Sequence, residues 1–283
     1  MYPVTFGLRI NQQVHDAPAQ LEAWRTAEEA GFDHLWAFDH LNALGPDPTQ
    51  PILDGWTVLG AMAVATKRAR LGLMVTGNLY RHPGLLAKIA VTIDHLSRGR
   101  LEFGLGAAWN EPEFQQYGMP FPSAADRIRM LNESLTAIKL LWTEERASYR
   151  GRFYQLTDAI ANPKPLQRPH PPIWVGGAGP KRTLRVVARH ADVWNGAGKD
   201  TDETKQLLRI LGEHCAKVGR DPKTIRLSTS QRIDDADAAI AQMRERRALG
   251  YSDFLLFPAR NADLRHGVDA AVKLLPRLRR EIS

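Results

Sequence analysis

The stretch DAPAQLEAWRTAEEAGFDHLWAFDH, residues 16–40, contains an amphipathic helix that is followed at once by a short apolar strand. Apolar residues recur every three positions over residues 21–30, which is the spacing of one helix face, and Gly31 follows where a helix commonly ends. Residues 33–38 are mainly apolar, as is typical of a strand buried in a parallel sheet. The stretch therefore predicts one helix–strand unit of an α/β protein.

The same unit recurs along the whole chain, so that eight strands alternate with eight helices. The predicted strands are residues 4–10, 33–38, 70–76, 100–106, 172–176, 191–195, 224–230 and 252–257. The predicted helices are residues 16–31, 53–66, a helix from Pro83, 123–142, 181–190, 201–218, 235–249 and 262–281. Eight parallel strands in 283 residues favour closure into a (β/α)8 TIM barrel over the alternative of an open, doubly wound sheet.

The chain is expected to form a single domain over residues 1–283, with two insertions in the barrel. Residues 107–122 follow the fourth strand, and residues 143–171 follow the fourth helix. The second insertion contains the segment YRGRFY from residue 149 and ends in a proline-rich run, which together predict a small hairpin and an extended segment. Connections of this length often carry function.

The composition excludes several classes of protein. Cys215 is the only cysteine, so no intramolecular disulfide can form, and a reducing cytoplasm is the expected compartment. The sequence contains no run of about 18 apolar residues, so no membrane span is predicted, and residues 1–10 lack the pattern of a signal peptide. The formal charge is +7, but the Lys and Arg residues are dispersed, which favours solvated helix faces over a nucleic-acid site.

The most informative local feature is the glycine run WVGGAGPKRT, residues 174–183, between a predicted strand and a predicted helix. Glycine lets a backbone approach a ligand closely, and the first N–H groups of a helix face outward at the positive end of its dipole. The run therefore indicates an anion or phosphate site, with a tight structural turn as the alternative. It is not a Walker A motif, because the Gly-Lys-[Ser/Thr] ending is missing.

Asp39 and His40 stand at the end of the second predicted strand, where TIM barrels place catalytic groups. An imidazole at this place can donate or accept a proton, although a helix cap beside a surface histidine is the simpler alternative. The chain has no His-x-His after the first strand and no His-Glu-x-x-His, so we expect no metal site. A Gly-x-Ser-x-Gly motif is also missing, which argues against a serine hydrolase.

The glycine run and the Asp39-His40 pair belong to a larger set of motifs. They are GFDHLWAFDH (31–40), ILDGWT (52–57), LGLMVTGN (71–78), YRHP (80–83), SRGRLEFGLG (97–106), WNEPE (109–113), WVGGAG (174–179) and ADVWN (191–195). With them the chain resembles the bacterial luciferase-like flavin barrel superfamily over nearly its whole length. Within the superfamily it is most similar to oxidoreductases that use the deazaflavin coenzyme F420, with flavin mononucleotide (FMN) as the alternative cofactor.

The resemblance implies a cofactor across the mouth of the barrel. Asp39 and His40 match positions beside the tricyclic ring, and Met74-Val75 matches a site where relatives often have a non-proline cis peptide under the ring. The remaining matched positions are Thr76, Gly106 and Ala107 on the ring or ribityl side, and Gly177, Ala178 and Gly179 in the phosphate-binding turn.

The function that the resemblance implies is hydride transfer between coenzyme F420 and a small organic substrate. His40 is the leading proton donor, and Asp39 would orient it or bond the ring. Some deazaflavin dehydrogenases carry a glutamate acid near Trp109, and this chain offers only Glu111 as a loose substitute. Trp56, Trp109 and Trp194 are candidate cavity walls and equally reasonable core residues.

Two other functions remain open from the sequence. One is an FMN-dependent monooxygenase that uses reduced flavin and oxygen. The other is a non-catalytic barrel that serves as a binding or scaffold protein. The resemblance also implies a homodimer.

Overall fold

The computed structural model describes residues 2–13, 16–258 and 263–282. Its strands are β1 Thr5–Arg9, β2 His34–Ala37, β3 Arg70–Leu73, β4 Thr76–Gly77, β5 Leu101–Gly106, β6 Ala147–Arg150, β7 Gln155–Ala159, β8 Ile173–Gly176, β9 Val193–Asn195, β10 Arg226–Arg232 and β11 Asp253–Phe257. Its helices are α1 Ala17–Glu29, α2 Gly55–Ala65, α3 Pro83–Leu96, α4 Glu111–Gln116, α5 Ala124–Thr143, α6 Thr183–His190, α7 Thr201–Ala216, α8 Ala236–Ala248 and α9 Leu264–Ile282.

The main sheet closes into a parallel barrel. Its strands pair in the order β3-β2-β1-β11-β10-β9-β8-β5-β4, and a further pairing of β3 with β5 completes the ring. Leu71 lies opposite Leu101 at this closure, while β4 pairs farther along β5 as the continuation of β3. The eight-stranded (β/α)8 barrel predicted from the sequence is therefore confirmed. The expectation of a single domain over the whole chain stays a prediction.

The observed elements differ from the predicted ones at two places. The third predicted strand is divided into β3 and β4 by a cis peptide bond between Met74 and Val75. The insertion after β5 contains the extra helix α4, whose first turn combines a proline with Glu111 and Glu113, a composition that favours a helix start. The second insertion contains the predicted hairpin, formed by antiparallel β6 and β7. The predicted start of the last helix, residue 262, lies outside the described residues.

Two tryptophans fill the interior of the barrel. Trp36 on β2 and Trp174 on β8 are fully buried, and their ring centroids lie 4.6 Å apart in an edge-to-face arrangement. The neighbouring strands supply glycines at the same level: a Cβ atom on Gly72 would lie 2.5 Å from Cζ3 of Trp36, and one on Gly7 would lie 3.0 Å from its Nε1. The two indoles therefore fit only because these strands carry no side chain beside them.

Trp36 is held by a chain of hydrogen bonds at the lower, N-terminal end of the barrel. Its Nε1 donates to Nδ1 of His34 at 2.6 Å, and Nε2 of His34 lies 3.1 Å from the Thr5 hydroxyl. Burial lowers the pKa of His34 to about 3, with smaller contributions from nearby arginines, so the ring is neutral and can accept the indole N–H. The Thr5 hydroxyl in turn donates to Asp253 at 3.2 Å.

Trp174 is held by a buried carboxylate in the same layer. Its Nε1 donates to Glu102, which also pairs with Arg70 and lies 3.7 Å from Arg226. Burial raises the pKa of Glu102, and the two arginines act in the opposite direction. Arg226 also pairs with Asp253 at 3.1 Å. The polar groups of this layer, which we call the barrel floor, thus satisfy one another.

The helices surround the barrel and pack their apolar sides against it. Cys215 on α7 is buried in this core. Within the described part of the chain, no helix is both long and apolar enough to cross a membrane.

We predict that the substitution Gly7→Ala destabilises the fold. Gly7 lies level with His34, and the new methyl group would overlap the His34 ring, whose two nitrogens are held by Trp36 and Thr5. Overpacking of this kind should lower the free energy of unfolding by about 1–3 kcal/mol, measured from urea denaturation.

The matched control is Gly212→Ala on α7. No atom lies within 4 Å of the added methyl group there, and alanine favours a helix over glycine by about 1 kcal/mol, so this variant should be neutral or more stable. Equal denaturation midpoints for Gly7→Ala and the wild type would contradict the packing argument.

Candidate active site

The C-terminal ends of several barrel strands enclose a cavity of about 850 Å³. The cavity is lined by residues at or just after the ends of β1, β2, β3 and β11, and by Trp109 in the loop before α4. The lining includes Arg9, Phe38, His40, Met74, Trp109 and Phe257. His40 and Met74 are thus two predicted site residues that the fold brings to one cavity, at the end of the barrel where such enzymes place their chemistry.

His40 is held by a buried carboxylate. Its Nδ1 lies 2.9 Å from Oε1 of Glu113 on α4, while the other oxygen of Glu113 accepts the N–H of Leu41 at 2.9 Å. The His40 ring also makes edge contacts with Phe38 and with Trp109, at centroid distances of 5.3 Å and 5.6 Å. These contacts fix the orientation of the imidazole at the cavity wall.

The charge on Glu113 decides which nitrogen of His40 carries a hydrogen. Burial raises the pKa of Glu113, but hydrogen bonds from His40, Tyr80 and the Leu41 N–H more than offset this and lower its pKa below the ordinary value. Burial and the Glu113 hydrogen bond raise the pKa of Tyr80, whose hydroxyl therefore stays protonated and donates to Glu113. An ionised Glu113 can only accept, so Nδ1 of His40 is the donor and Nε2 is left for proton exchange.

Asp39 forms an ion pair of its own, separate from the His40–Glu113 pair. Its buried carboxylate accepts from Arg81 at 2.6 Å and from the Thr76 hydroxyl, and Arg81 also bridges to Asp54 at 2.7 Å. Burial raises the pKa of Asp39, and the Arg81 guanidinium opposes this. Trp56 donates its indole N–H to Thr76 at 3.0 Å. Asp39 and Thr76, two further predicted site residues, are therefore linked to each other.

The peptide bond between Met74 and Val75 is cis, as the resemblance implies for this predicted site. Met74 packs against the buried cluster of Trp36, Trp174, Val193 and Leu255 and lines the cavity, while Val75 lies against the neighbouring strand β5. A Cβ atom on Gly106 would lie 2.7 Å from Cγ2 of Val75. Gly106 is therefore required for this packing, and Ala107, which follows it, packs at the edge of the core.

The predicted phosphate turn leads from β8 into α6. The N–H of Gly177 is occupied by the Asn195 carbonyl at 3.1 Å, and the Gly177 carbonyl accepts from Trp194 at 2.7 Å. Within residues 16–258, no hydrogen bond uses the N–H groups of Ala178, Gly179 or Thr183. α6 also begins without a side-chain cap. The free donors are therefore those of Ala178, Gly179 and Thr183, the first residue of α6, a suitable place for an anion.

Several sequence candidates lie elsewhere. Glu111 is exposed on α4 and accepts a hydrogen bond from Gln115, away from His40. Trp56 and Trp194 are buried supports of Thr76 and Gly177, so of the three candidate aromatic walls only Trp109, which is 66% exposed, lines the cavity. No cluster of His, Cys, Asp or Glu suited to a metal ion occurs among the described residues.

Glu113, Tyr80 and Arg81 are the functional residues that sequence reasoning missed. Each lies within a motif quoted for the resemblance, but no local pattern pairs them with His40 or Asp39. The available signal was the run Glu111-Pro-Glu113, a composition that favours a helix start within the insertion.

Comparisons with known proteins agree on one family for this chain. The family model described as luciferase-like monooxygenase matches residues 2–271. An uncharacterized protein of Mycobacterium tuberculosis is 34% identical over 259 residues, which cover 85% of this chain and 88% of that protein. A protein named F420-dependent glucose-6-phosphate dehydrogenase from Microbacterium testaceum is 33% identical over 224 residues, 77% of this chain and 64% of that protein. A protein named FMNH(2)-dependent dimethylsulfone monooxygenase from Pseudomonas putida is 28% identical over 226 residues, with coverages of 77% and 60%.

The fold also matches a solved structure of an F420-dependent secondary alcohol dehydrogenase in complex with an F420-acetone adduct. The TM-score is 0.82 with 19% sequence identity, over 97% of this chain and 99% of that chain, which is a likeness of fold. The relatives include proteins named for F420 and one named for FMNH(2), so they do not decide the cofactor. The family match over residues 2–271 means that the chain belongs to the luciferase-like monooxygenase family of oxidoreductases.

Proposed function

We propose that this chain uses coenzyme F420 to transfer a hydride to or from a small organic substrate. The observation that carries the proposal is the His40–Glu113 pair on the wall of the cavity beside Met74 and Trp109. A histidine whose Nδ1 is held by a carboxylate can exchange a proton through Nε2, which is what the reduction or oxidation of a polar group requires. Relatives named for F420 add support. A cytoplasmic location stays a prediction.

The residues at the barrel mouth fit a flavin-like cofactor. The N–H groups of Ala178, Gly179 and Thr183 would hold its phosphate, on the opposite side of the barrel from β1. Met74 and Val75 would support one face of the ring, and Gly106 and Ala107 would lie beside it. Asp39, His40 and Thr76 would border the ring, with Asp39 held in place by Arg81. Bound there, a deazaflavin supplies two-electron hydride chemistry.

The chain's own contribution is to hold one proton and to keep its carrier oriented. Glu113 accepts a hydrogen bond from Nδ1 of His40, and the Tyr80 hydroxyl donates to the same carboxylate oxygen. Because Glu113 is fully buried, this interaction is screened little by water. Nε2 of His40 is then the atom that gives or takes the proton at the substrate. Trp109 and Phe38 pack against the His40 ring and would limit the access of water to it.

We predict that the wild-type protein binds coenzyme F420 more tightly than FMN, as measured by absorbance titration with both. Gly179→Val should weaken the binding of the preferred cofactor about tenfold, or about 1.4 kcal/mol, because the larger side chain blocks the approach of the phosphate to the turn. A Cβ atom at Gly179 already lies 2.7 Å from the Thr183 hydroxyl, so a valine there must fill the turn.

Gly212→Val is the matched control, since a Cβ there meets no atom within 4 Å outside its own helix and the position lies outside the turn. Unchanged cofactor affinity in a folded Gly179→Val variant would place the phosphate elsewhere. Tighter binding of FMN, with oxygen-dependent turnover of reduced flavin, would replace the proposed reaction by a monooxygenase reaction. A protein that binds neither cofactor would be a non-catalytic barrel.

We predict that His40→Asn lowers kcat at least about 100-fold and leaves cofactor affinity nearly intact, because a positioned acid supplies about 10²–10⁴-fold. The measurement is steady-state kinetics in the direction of substrate reduction, after an acceptor has been found by screening, together with a cofactor titration of both proteins.

Glu113→Gln separates orientation from charge in the same assay. It keeps the size of the side chain but removes the negative charge that the His40 Nδ1–H meets, so kcat should fall while cofactor binding stays unchanged. If His40→Asn weakens cofactor binding and keeps kcat, His40 is a contact of the ring and not the proton donor.

We further propose that the protein is a homodimer, which the resemblance implies. The neighbouring helices α2 and α3 expose Val64, Leu85 and Leu96, which are 67%, 56% and 46% exposed. Large apolar residues on one surface are typical of an interface. Light scattering at micromolar concentration should give about twice the chain mass of 31.7 kDa, and Val64→Glu combined with Leu85→Glu should reduce it. A wild-type mass near 31.7 kDa would contradict the dimer.

A further inference from the structure

Trp109 differs from every other tryptophan of the chain in its contact with solvent. The chain has seven tryptophans, and all of them lie among the described residues. Six are at most 4% exposed, whereas Trp109 is 66% exposed and lines the cavity that contains His40. Because the burial of apolar surface is favourable, a ligand that covers this indole gains binding free energy from it.

The backbone before Trp109 adopts a conformation that is costly for a residue with a side chain. Ala108 has a φ of 60°, in the left-handed region that glycine usually occupies. A Cβ atom on Gly77 would lie 3.3 Å from the Cβ of Ala108, so β4 packs closely against this turn. Strained residues of this kind persist where the surroundings enforce them, and they are concentrated at ligand sites. The turn therefore fixes the point at which Trp109 leaves the backbone.

The aromatic part of the cavity wall lies beside His40. The wall as a whole is mixed and includes polar residues such as Asn11 and Gln13. Phe38 and Trp109 both contact the His40 ring, at interplanar angles of 63° and 71°. A flat ring stacked parallel to the Trp109 indole would keep this steep angle to the imidazole, and stacked and edge-to-face arrangements are those that aromatic rings prefer. The wall next to the proposed proton donor thus favours a ligand with a flat apolar face.

The position of Trp109 assigns this ligand to the substrate. No described residue of the cavity wall belongs to residues 177–179 of the proposed phosphate turn, and the volume of about 850 Å³ lies near the upper end of the usual range for ligand pockets, about 300–1,000 Å³. A substrate that exchanges a proton with Nε2 of His40 must reach the His40 ring, against which Trp109 packs. The ligand that covers Trp109 is therefore the one that meets His40.

We propose that Trp109 determines substrate specificity by stacking on an aromatic ring of the substrate, whose polar group then lies at Nε2 of His40. The proposal rests on the proposed function, because it assigns the flat ring to the substrate of that reaction. It adds the chemical class of the substrate, an aromatic compound with a polar group beside the ring, and the residue that selects it.

The chain offers a matched control in Tyr117. This residue belongs to the same insertion, follows the last residue of α4 and is 57% exposed. It does not belong to the described part of the cavity wall, and its hydroxyl donates only to the Leu41 carbonyl, at 3.5 Å. Tyr117→Leu thus removes an exposed aromatic ring from the insertion and leaves the cavity wall unchanged.

The experiment compares two ketones with the same number of heavy atoms, acetophenone with a flat ring and cyclohexyl methyl ketone with a puckered one. Calorimetry gives their affinities, on protein loaded with whichever flavin the cofactor titration identifies and on protein without flavin. Acetophenone should bind the wild type about fivefold more tightly than cyclohexyl methyl ketone, which is the size of an aromatic pair interaction. In fluorine NMR of protein labelled with fluorotryptophan, acetophenone should shift the resonance that is missing from Trp109→Leu.

The variants test whether Trp109 is the source of this preference. Trp109→Leu should reduce the preference for acetophenone to less than about twofold and leave cofactor affinity unchanged. Trp109→Phe, which keeps a flat ring, should retain part of the preference. Tyr117→Leu should retain all of it.

Three results would overturn the proposal. Equal affinities of the wild type for the two ketones, or binding of neither, would show that the cavity does not select a flat ring. A preference for acetophenone that survives in folded Trp109→Leu would place the ring elsewhere. Weaker cofactor binding in Trp109→Leu would make Trp109 a cofactor contact. Failure of the proposed hydride transfer appears separately, as absence of turnover while the selective binding of acetophenone persists.

Discussion

The packing of Trp36 against Trp174 inside the barrel is the constraint on which much of this structure depends. Two indoles 4.6 Å apart fill a barrel interior that such enzymes usually fill with aliphatic side chains. They require glycine on neighbouring strands, and their buried N–H groups require acceptors, since an unsatisfied buried donor costs about 1–3 kcal/mol. His34 and Glu102 are those acceptors. The barrel floor therefore carries charged and polar groups because the two tryptophans that fill the interior need hydrogen-bond acceptors.

The same packing determines what can lie above it. Met74 packs against the buried cluster that contains the two tryptophans, and the chain passes through the cis peptide to Val75, whose side chain takes the space that Gly106 leaves open. The mouth of the barrel thus has an apolar base. Asp39 and His40 follow β2, the strand of Trp36, and each is held by a residue from a different segment: Asp39 by Arg81 and His40 by Glu113. The position of these side chains follows from long-range contacts.

The difference between local patterns and long-range contacts explains how much of the structure the sequence could predict. The strands and helices were predictable because an apolar strand and an amphipathic helix leave a local pattern, and the eightfold alternation left few possible architectures. His40 and the glycine turn were found because strand ends are where barrels carry their chemistry. Glu113 was missed because it lies 73 residues from His40, in an insertion whose helix α4 returns to the mouth only through tertiary packing. The division of the third strand into β3 and β4 likewise leaves no mark in hydrophobic periodicity.

The two ends of the barrel use the same residue types in different ways. At the floor, Arg70 and Arg226 pair with the buried carboxylates of Glu102 and Asp253 and support the tryptophans, so these charges contribute to the fold. At the mouth, Arg9 stacks on an aromatic ring beside a cavity that a ligand can enter. Charge at the floor supports buried indoles, whereas at the mouth the His40–Glu113 pair stands on the wall of the cavity. The mouth also carries unused backbone donors after β8, so the groups proposed for the cofactor phosphate and for the proton are supplied by different strands of one barrel.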